Sequence, residues 1–227
     1  MLEPTSPPAG RPDRWAVLCD FDGTAVLEDI GDRVAIRFAG HDLWRRECDA
    51  YKAGAFSFSE LLRRIFEPIT APAEEIAAFA RAAAVLRPGF ERFVEHARRG
   101  GLPFVVCSAG LDVYITPVLD RLPPELRASL QLRSNHATCS PEGMRVSFHQ
   151  GFEGCGKCGF CKGAVARALQ AEGYKVVLCG DGTADRCAAA AADLVFARGK
   201  LVRYCGEERI RCIPFESFDE VIARFPA

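Results

Sequence analysis

The chain has 227 residues, of which 49% are hydrophobic and 26% charged, with a formal net charge of −1. These are values of a soluble globular protein with room for one large domain, or for a core domain carrying a smaller one. They exclude an overall field favouring nucleic acid or an anionic membrane surface. No apolar run approaches the roughly 18 residues of a membrane-spanning helix.

Residues 1–14, MLEPTSPPAGRPDR, lack the apolar segment of a secretory signal and are predicted to be a disordered leader. The expected compartment is the cytoplasm. The eleven cysteines agree with it, because their number is odd and Cys19, Cys107 and Cys179 sit inside apolar runs. Thiols there act as small buried hydrophobes in a reducing environment.

The first strand is predicted at WAVLC (15–19), which is nearly all apolar, as a strand covered on both faces should be. Residues 25–86 contain no convincing strand. They carry helical patterns with Phe38, Trp44, Tyr51, Phe56, Phe58, Leu61, Leu62, Ile65 and Phe66, and are predicted to be a small helical cap inserted after the first strand. GFERFVEHARRG (89–100) reads as an amphipathic helix closed by glycine, and PFVVC (103–107) as the next buried strand. Residues 130–148 read as two strands joined at SPEG, a short β-hairpin insertion. CKGAVARALQAEG (161–173), KVVLC (175–179) and FESFDEVIARF (215–225) complete the chain as helix, strand and helix. The alternation predicts an α/β fold whose Rossmann-like parallel sheet core takes residues 15–24 and 87–227.

Three of these strands run at once into small polar residues: CDFDGT (19–24), CSAG (107–110) and CGDGTAD (179–185). Ligands bind at the carboxyl ends of parallel strands, so the three ends are expected to share one crevice. Neighbouring carboxylates repel unless a divalent cation, a hard ion that prefers oxygen ligands, lies between them. Asp20, Asp22 and Asp181 offer such ligands, with Mg²⁺ as the expected ion. A carboxylate can also attack phosphorus, and a second can protonate the leaving alcohol and later activate water. Thr24 and Ser108 offer hydroxyls to phosphoryl oxygens, while Gly23, Ala109 and Gly110 allow backbone N–H groups to approach an anion. Lys162 supplies a fixed cation. Plainer roles exist for each: a solvated turn or an isolated calcium loop for the carboxylate pair, a helix cap for Ser108, a dipole-favoured charge at a helix N-terminus for Asp185, and a solvated lysine at a helix start.

Cys155, Cys158 and Cys161 have the C-x₂-C-x₂-C spacing of metal ligands, with Cys139, His136 or His149 as a fourth. A structural Zn²⁺, redox-sensitive thiols and a metal-free Gly/Cys loop are all compatible with the run. His41 and His96 lie in helical patterns and read as surface residues. His136 reads either as a group approaching the active site or as a hydrogen-bonded structural residue.

Taken in order, DFDGT, SAG, CK and GDGTAD resemble the four motifs of the haloacid dehalogenase superfamily, across residues 15–205. The resemblance implies Asp20 as nucleophile and Asp22 as general acid/base. It also implies Mg²⁺ held by Asp20, the Asp22 carbonyl and Asp181, with Asp185 orienting Lys162 or a metal-bound water. An acid two positions after the nucleophile is similar to the phosphatases and phosphomutases of the superfamily rather than its dehalogenases or transport ATPases.

The helical insertion resembles the cap of the phosphoserine-phosphatase-like branch. Within that branch, RPGFERFV, NHA, CGKCGFCK and DLVFAR are similar to the methionine-salvage phosphatases. That resemblance implies 2-hydroxy-3-keto-5-methylthiopentenyl-1-phosphate as substrate. The cysteine-rich run also resembles the phosphoethanolamine/phosphocholine phosphatases, which keeps those substrates as the alternative. Phosphoserine phosphatases grip their amino acid with a cap acid and a cap arginine. Asp29 matches the acid, but an ungapped overlay of FSFSELLRRIF puts Ile65, beside Arg63 and Arg64, where the arginine belongs. A substrate carboxylate would lose its bidentate partner, which counts against phosphoserine. Asp29 and Phe58 are the cap candidates for substrate selection, with Trp44 as another aromatic. The expected partner is a small phosphorylated metabolite, with no nucleic acid or membrane, and the chain is expected to be a monomer or homodimer. A catalytically idle scaffold protein is the reading of another class, and the complete set of motif carboxylates and lysine argues against it.

Overall fold

The structure, a computed structural model, describes residues 14–148 and 160–226. The expected leader, bar Arg14, lies outside them, as do Cys155, Cys158 and His149. Strand β1 (Trp15–Cys19) is followed by α1 (Ile30–Phe38), α2 (His41–Lys52), α3 (Phe58–Phe66), α4 (Ala73–Ala83) and α5 (Phe90–Arg99). Next come β2 (Phe104–Leu111), α6 (Asp112–Leu119), α7 (Pro124–Ser129), β3 (Leu130–Ser140) and β4 (Gly143–Ser147). The remainder is α8 (Lys162–Ala171), β5 (Lys175–Gly180), α9 (Arg186–Ala189), β6 (Leu194–Ala197), α10 (Gly199–Glu207), β7 (Cys212–Pro214) and α11 (Phe218–Ala223).

The strands form one seven-stranded sheet in the order β4-β3-β2-β1-β5-β6-β7. Every neighbouring pair is parallel except β3 and β4. This is the α/β fold with a mostly parallel core that the alternating pattern predicts. Two short strands, β6 and β7, extend it beyond the three strands legible in the apolar runs.

The wholly apolar strands divide their residues between two faces. Val17, Cys19, Val177 and Cys179 join the core under α5, α6 and the first four helices. Leu18, Val176 and Leu178 join a second core with Phe160, Val165, Ala166 and Leu201. Side chains alternate across a strand, so both cores are fed by one run.

The hairpin at 130–148 is present, and its first arm has two partners. Leu130–Asn135 continue the parallel sheet beside β2, whereas His136–Ser140 pair with β4. The insertion is therefore an overhang of a core strand. His136 lies at the changeover, where Nδ1 meets Asp112 Oδ2 at 2.5 Å on the surface.

Helices α1–α4 leave and rejoin the sheet through adjacent extended segments. Val26 and Leu86 form an antiparallel bridge, the Leu27 N–H donates to the Val85 carbonyl at 2.9 Å, and the Arg87 N–H to Ala25 at 2.8 Å. Asp29 starts α1 by accepting from the Asp32 N–H at 2.7 Å, and Ser57 starts α3 by accepting from Glu60. Leu61, Leu62, Ile65 and Phe66 form the buried stripe of α3, in the same core as Val17 and Tyr114. Beyond α3, the Met144 N–H donates to the Glu67 carbonyl, tying β4 to this segment.

Candidate active site

The site is built by register. Cys19 pairs with Cys179 on one side and with Val106 on the other, so the end of β1 lies level with the end of β5 and with the middle of the longer β2. β1 stands where the chain order reverses, the switch point at which open α/β sheets bind ligands. Asp20 and Asp181 follow the ends of β1 and β5, Ser108 stands in β2 two residues past the partner of Cys19, and the Asp20 N–H donates to the Cys179 carbonyl at 2.9 Å. Gly23 turns the loop with φ 74°, and a Cβ there would lie 2.7 Å from Asp181 Oδ2. Only glycine allows both the left-handed backbone and this approach.

Lys162, the first residue of α8, is 2% exposed and donates to Asp20 Oδ1 and, at 2.7 Å, to Asp185 Oδ1. Asp185 Oδ2 accepts from the N–H groups of Asp181 and Gly182 at 3.0 and 2.9 Å. Both oxygens of Asp185 are thus engaged in holding Lys162 and the loop after β5. The Thr24 hydroxyl lies between Asp20 Oδ2 at 3.2 Å and Asp181 Oδ1 at 3.4 Å. The Ser108 hydroxyl oxygen accepts from the Gly110 N–H at 3.0 Å, and the Ala109 carbonyl from Asn135 Nδ2 at 2.7 Å.

Asp22 faces elsewhere. Its Oδ1 accepts from the Ile30 N–H at 2.8 Å, at the start of α1, and its Oδ2 from the Tyr114 hydroxyl at 3.1 Å. The two carboxylates of the DxD pair therefore occupy different surroundings.

Burial raises the Asp20 carboxyl well above its ordinary value, Asp185 adds to this, and Lys162 opposes it. Asp181 is raised in the same direction by burial and then by Asp185. Burial alone would lower the Lys162 ammonium, but Asp185 and Asp20 outweigh it and hold the group charged. Asp22 is raised to about 6 by burial, with the Ile30 N–H and Tyr114 hydroxyl working against the rise. The carboxyl shifts follow from acids taken out of water with too few cations beside them, and the Lys162 shift from the acids that surround it.

Asp20, Asp181 and Asp185 each present a carboxylate oxygen within 4.8 Å of the others, the one such acidic, cysteine or histidine cluster among the described residues. Two of its members are carboxylates made reluctant to ionise by burial and mutual repulsion. An oxygen-seeking dication suits such a set. The Asp22 carboxylate is not in the cluster.

The remaining expected residues are placed as follows. Asp29 is the N-cap of α1, near Tyr114: a Cβ built on Gly31 would lie 3.3 Å from Asp29 Oδ1 and 2.6 Å from the Tyr114 hydroxyl. Phe58 packs edge-on against Tyr51, and the Trp44 indole N–H donates to Asp32 Oδ1 at 2.7 Å. Ile65 is buried, while Arg63 and Arg64 face outward and pair with Glu67 and with Glu60 and Glu47. Cys161 is buried at the start of α8, and its two companions in the cysteine run lie outside the described residues.

Four residues around the site escaped the motif reading: Arg87, Arg198, Tyr114 and Asn135. Arg87, 4% exposed, donates to the carbonyls of Thr24 at 2.7 Å, Gly23 at 2.8 Å and Glu216 at 3.3 Å. Arg198 also donates to the Gly23 carbonyl. Both arginines stand inside stretches that carry the family likeness, RPGFERFV and DLVFAR. Nothing in a single sequence separates them from surface arginines.

Fold, switch-point site and motif order together are those of a phosphoric monoester hydrolase. The haloacid dehalogenase-like hydrolase family matches residues 17–190, and the chain belongs to that family. It is 31% identical over 208 residues to the 2-hydroxy-3-keto-5-methylthiopentenyl-1-phosphate phosphatase of Bacillus velezensis, covering 90% of this chain and 87% of that protein. The phosphatase of the same name from an Exiguobacterium species is 32% identical over 211 residues, covering 91% and 95%. Among solved structures, a substrate-bound phosphoserine phosphatase shares the fold, with a TM-score of 0.70 and 18% identity. That match spans 95% of this chain and 100% of the other.

Proposed function

We propose that this protein is a phosphomonoesterase working through an aspartyl-phosphate, with 2-hydroxy-3-keto-5-methylthiopentenyl-1-phosphate as its substrate. One observation carries the chemistry: Asp20 and Asp22, two residues apart, are held in contrasting surroundings. Asp20 is bonded directly by Lys162, whereas the oxygens of Asp22 are held by a backbone N–H and a phenol. A carboxylate paired with a lysine and one held by a backbone N–H and a phenol suit the separate tasks of nucleophile and acid/base.

In this reading Asp20 attacks phosphorus, and the bond from phosphorus to the alcohol oxygen breaks as the new one forms. Asp22, protonated at the start, gives its proton to the departing oxygen. It then takes a proton from water as that water attacks phosphorus, which releases phosphate and restores Asp20. Lys162, the Ser108 hydroxyl and the Ala109 N–H stabilise the phosphoryl charge, and Asp185 holds Lys162 in line. Asp20, Asp181 and the Asp22 carbonyl would hold Mg²⁺, which would supply further positive charge against the phosphoryl oxygens. Helices α1–α4 serve as the cap that excludes water and selects the leaving group, with Asp29 on its first helix. The protein works in the cytoplasm on a small phosphorylated metabolite.

Support for the substrate comes from the named relatives and from the outward-facing Arg63 and Arg64, which leave the buried Ile65 where a phosphoserine carboxylate would seek a guanidinium. The test is phosphate release with Mg²⁺ from the salvage intermediate made in situ, phosphoserine, phosphocholine and phosphoethanolamine. A preference of about a hundredfold in kcat/KM for the salvage intermediate is expected, worth roughly 2.7 kcal/mol of transition-state discrimination. A preference for phosphocholine or phosphoethanolamine would replace the substrate. Absence of phosphate release from every ester would overturn the reaction.

A further inference from the structure

Tyr114 is the third residue of α6, four positions past the SAG motif, and is 2% exposed. Its ring stacks on Phe66 of α3, with centroids 6.3 Å apart and planes at 18°, and lies 6.5 Å from Phe21. Packing of that kind is available to phenylalanine, so the ring does not explain the hydroxyl. A buried hydroxyl costs free energy unless it is hydrogen-bonded. Here its proton goes to a defined partner, Asp22 Oδ2 at 3.1 Å.

The chain makes room for this one atom from two directions. A Cβ on Gly110, the penultimate residue of β2, would lie 1.8 Å from the hydroxyl oxygen; one on Gly31, in α1, would lie 2.6 Å away. Neither glycine has a positive φ, so neither is required by backbone conformation. Their common feature is clearance for the Tyr114 hydroxyl. With Oδ1 of Asp22 held by the Ile30 N–H at 2.8 Å, both oxygens of that carboxyl are tethered and its plane is set.

We propose that Tyr114 is a positioning residue that fixes the Asp22 carboxyl for proton transfer to the leaving oxygen. This rests on the assignment of Asp22 as general acid/base given above. A proton donor is effective only when its proton lies along the line to the accepting atom, so freeing one oxygen of the carboxyl lowers the fraction of productive encounters. The loss should depend on how much the departing oxygen needs a proton. Phenolate needs one; p-nitrophenolate, which leaves readily as an anion, does not.

The experiment compares phenyl phosphate with p-nitrophenyl phosphate, two esters of similar shape, on wild type, Tyr114→Phe and Asp22→Asn, with thermal melts to show that each variant folds. For Tyr114→Phe, kcat/KM on phenyl phosphate is expected to fall about tenfold and on p-nitrophenyl phosphate less than about twofold. Asp22→Asn should show the same selectivity with a larger loss, on the order of a hundredfold or more, on phenyl phosphate. An equal fall on both esters, or no fall on phenyl phosphate, in Tyr114→Phe would overturn the positioning role. Loss of selectivity in Asp22→Asn itself would overturn the acid/base assignment beneath it. The two failures are therefore distinguishable.

Discussion

Arg87 and Arg198 converge on one acceptor, the Gly23 carbonyl oxygen, each at 2.8 Å. They reach it from distant parts of the chain, Arg87 from the segment where the four-helix insertion rejoins the core and Arg198 from just after β6. Gly23 directly follows Asp22, so the pair holds the loop that carries both site carboxylates. Arg87 also binds the carbonyls of Thr24 and Val26, and its own N–H bonds Ala25. One buried side chain thereby satisfies most of the turn.

Removing Arg87 would leave several buried carbonyls without donors. Arg87→Met is expected to cost about 3 kcal/mol of stability and to lower kcat/KM by more than about tenfold, because the loop loses its shape. Arg198→Met removes fewer bonds from a more exposed position and should cost about 1 kcal/mol. Chemical denaturation of the two variants beside wild type checks the order. Equal costs would contradict the division of labour between them.

Asp20→Asn should abolish phosphate release, a fall of at least about a thousandfold, while melting no lower than wild type. Burial already disfavours the charged form of Asp20, and Lys162 keeps Asp185 as partner. Retained turnover in a correctly folded Asn variant would remove Asp20 as nucleophile.

The Asp22 carboxyl gives a pH signature. Burial raises it from 3.8 to about 6, so the folded state binds its proton more tightly than the unfolded chain. The resulting stability is fully present below about pH 4 and is lost as pH rises through about 6. With divalent ions chelated, Asp22→Asn should therefore be more stable than wild type above pH 6, by up to about 3 kcal/mol. The advantage should vanish below about pH 4. Melting curves across that range are the check, and a constant difference at all pH values would count against a buried, proton-holding Asp22.

Chelation should stop phosphate release, and Mg²⁺ should restore it. Added Mg²⁺ should also raise the melting temperature, by about 2.7 kcal/mol of stabilisation at a hundred times the dissociation constant. Asp181→Asn is expected to abolish most of that rise, since it takes one carboxylate from the cluster with Asp20 and Asp185. A full Mg²⁺ shift in this variant would place the ion elsewhere.

Periodicity and local chemistry determined much of this protein by themselves. Apolar runs such as WAVLC and KVVLC can be buried only between two layers, which made a parallel sheet covered on both faces legible. Asp20, Asp22, Ser108, Lys162 and Asp181 were legible because each follows or precedes a strong signal, a strand end or a helix start. The short β6 and β7 were not, because four or three residues carry no period of their own and are strands only by pairing with neighbours.

What tertiary structure alone decided is how the charged and polar groups are shared out. The spacing of Asp20 and Asp22 states that two acids are close, but not that one meets Lys162 while the other meets α1 and Tyr114. Arg87, Arg198 and Tyr114 look in sequence like two surface cations and a core aromatic. They acquire their places only when segments more than sixty residues apart in the chain are brought within hydrogen-bonding distance. Burial and backbone pattern are local properties that a sequence displays. A hydrogen bond between distant segments depends on how the sheet and its insertion close around the site, and that is a property of the folded chain.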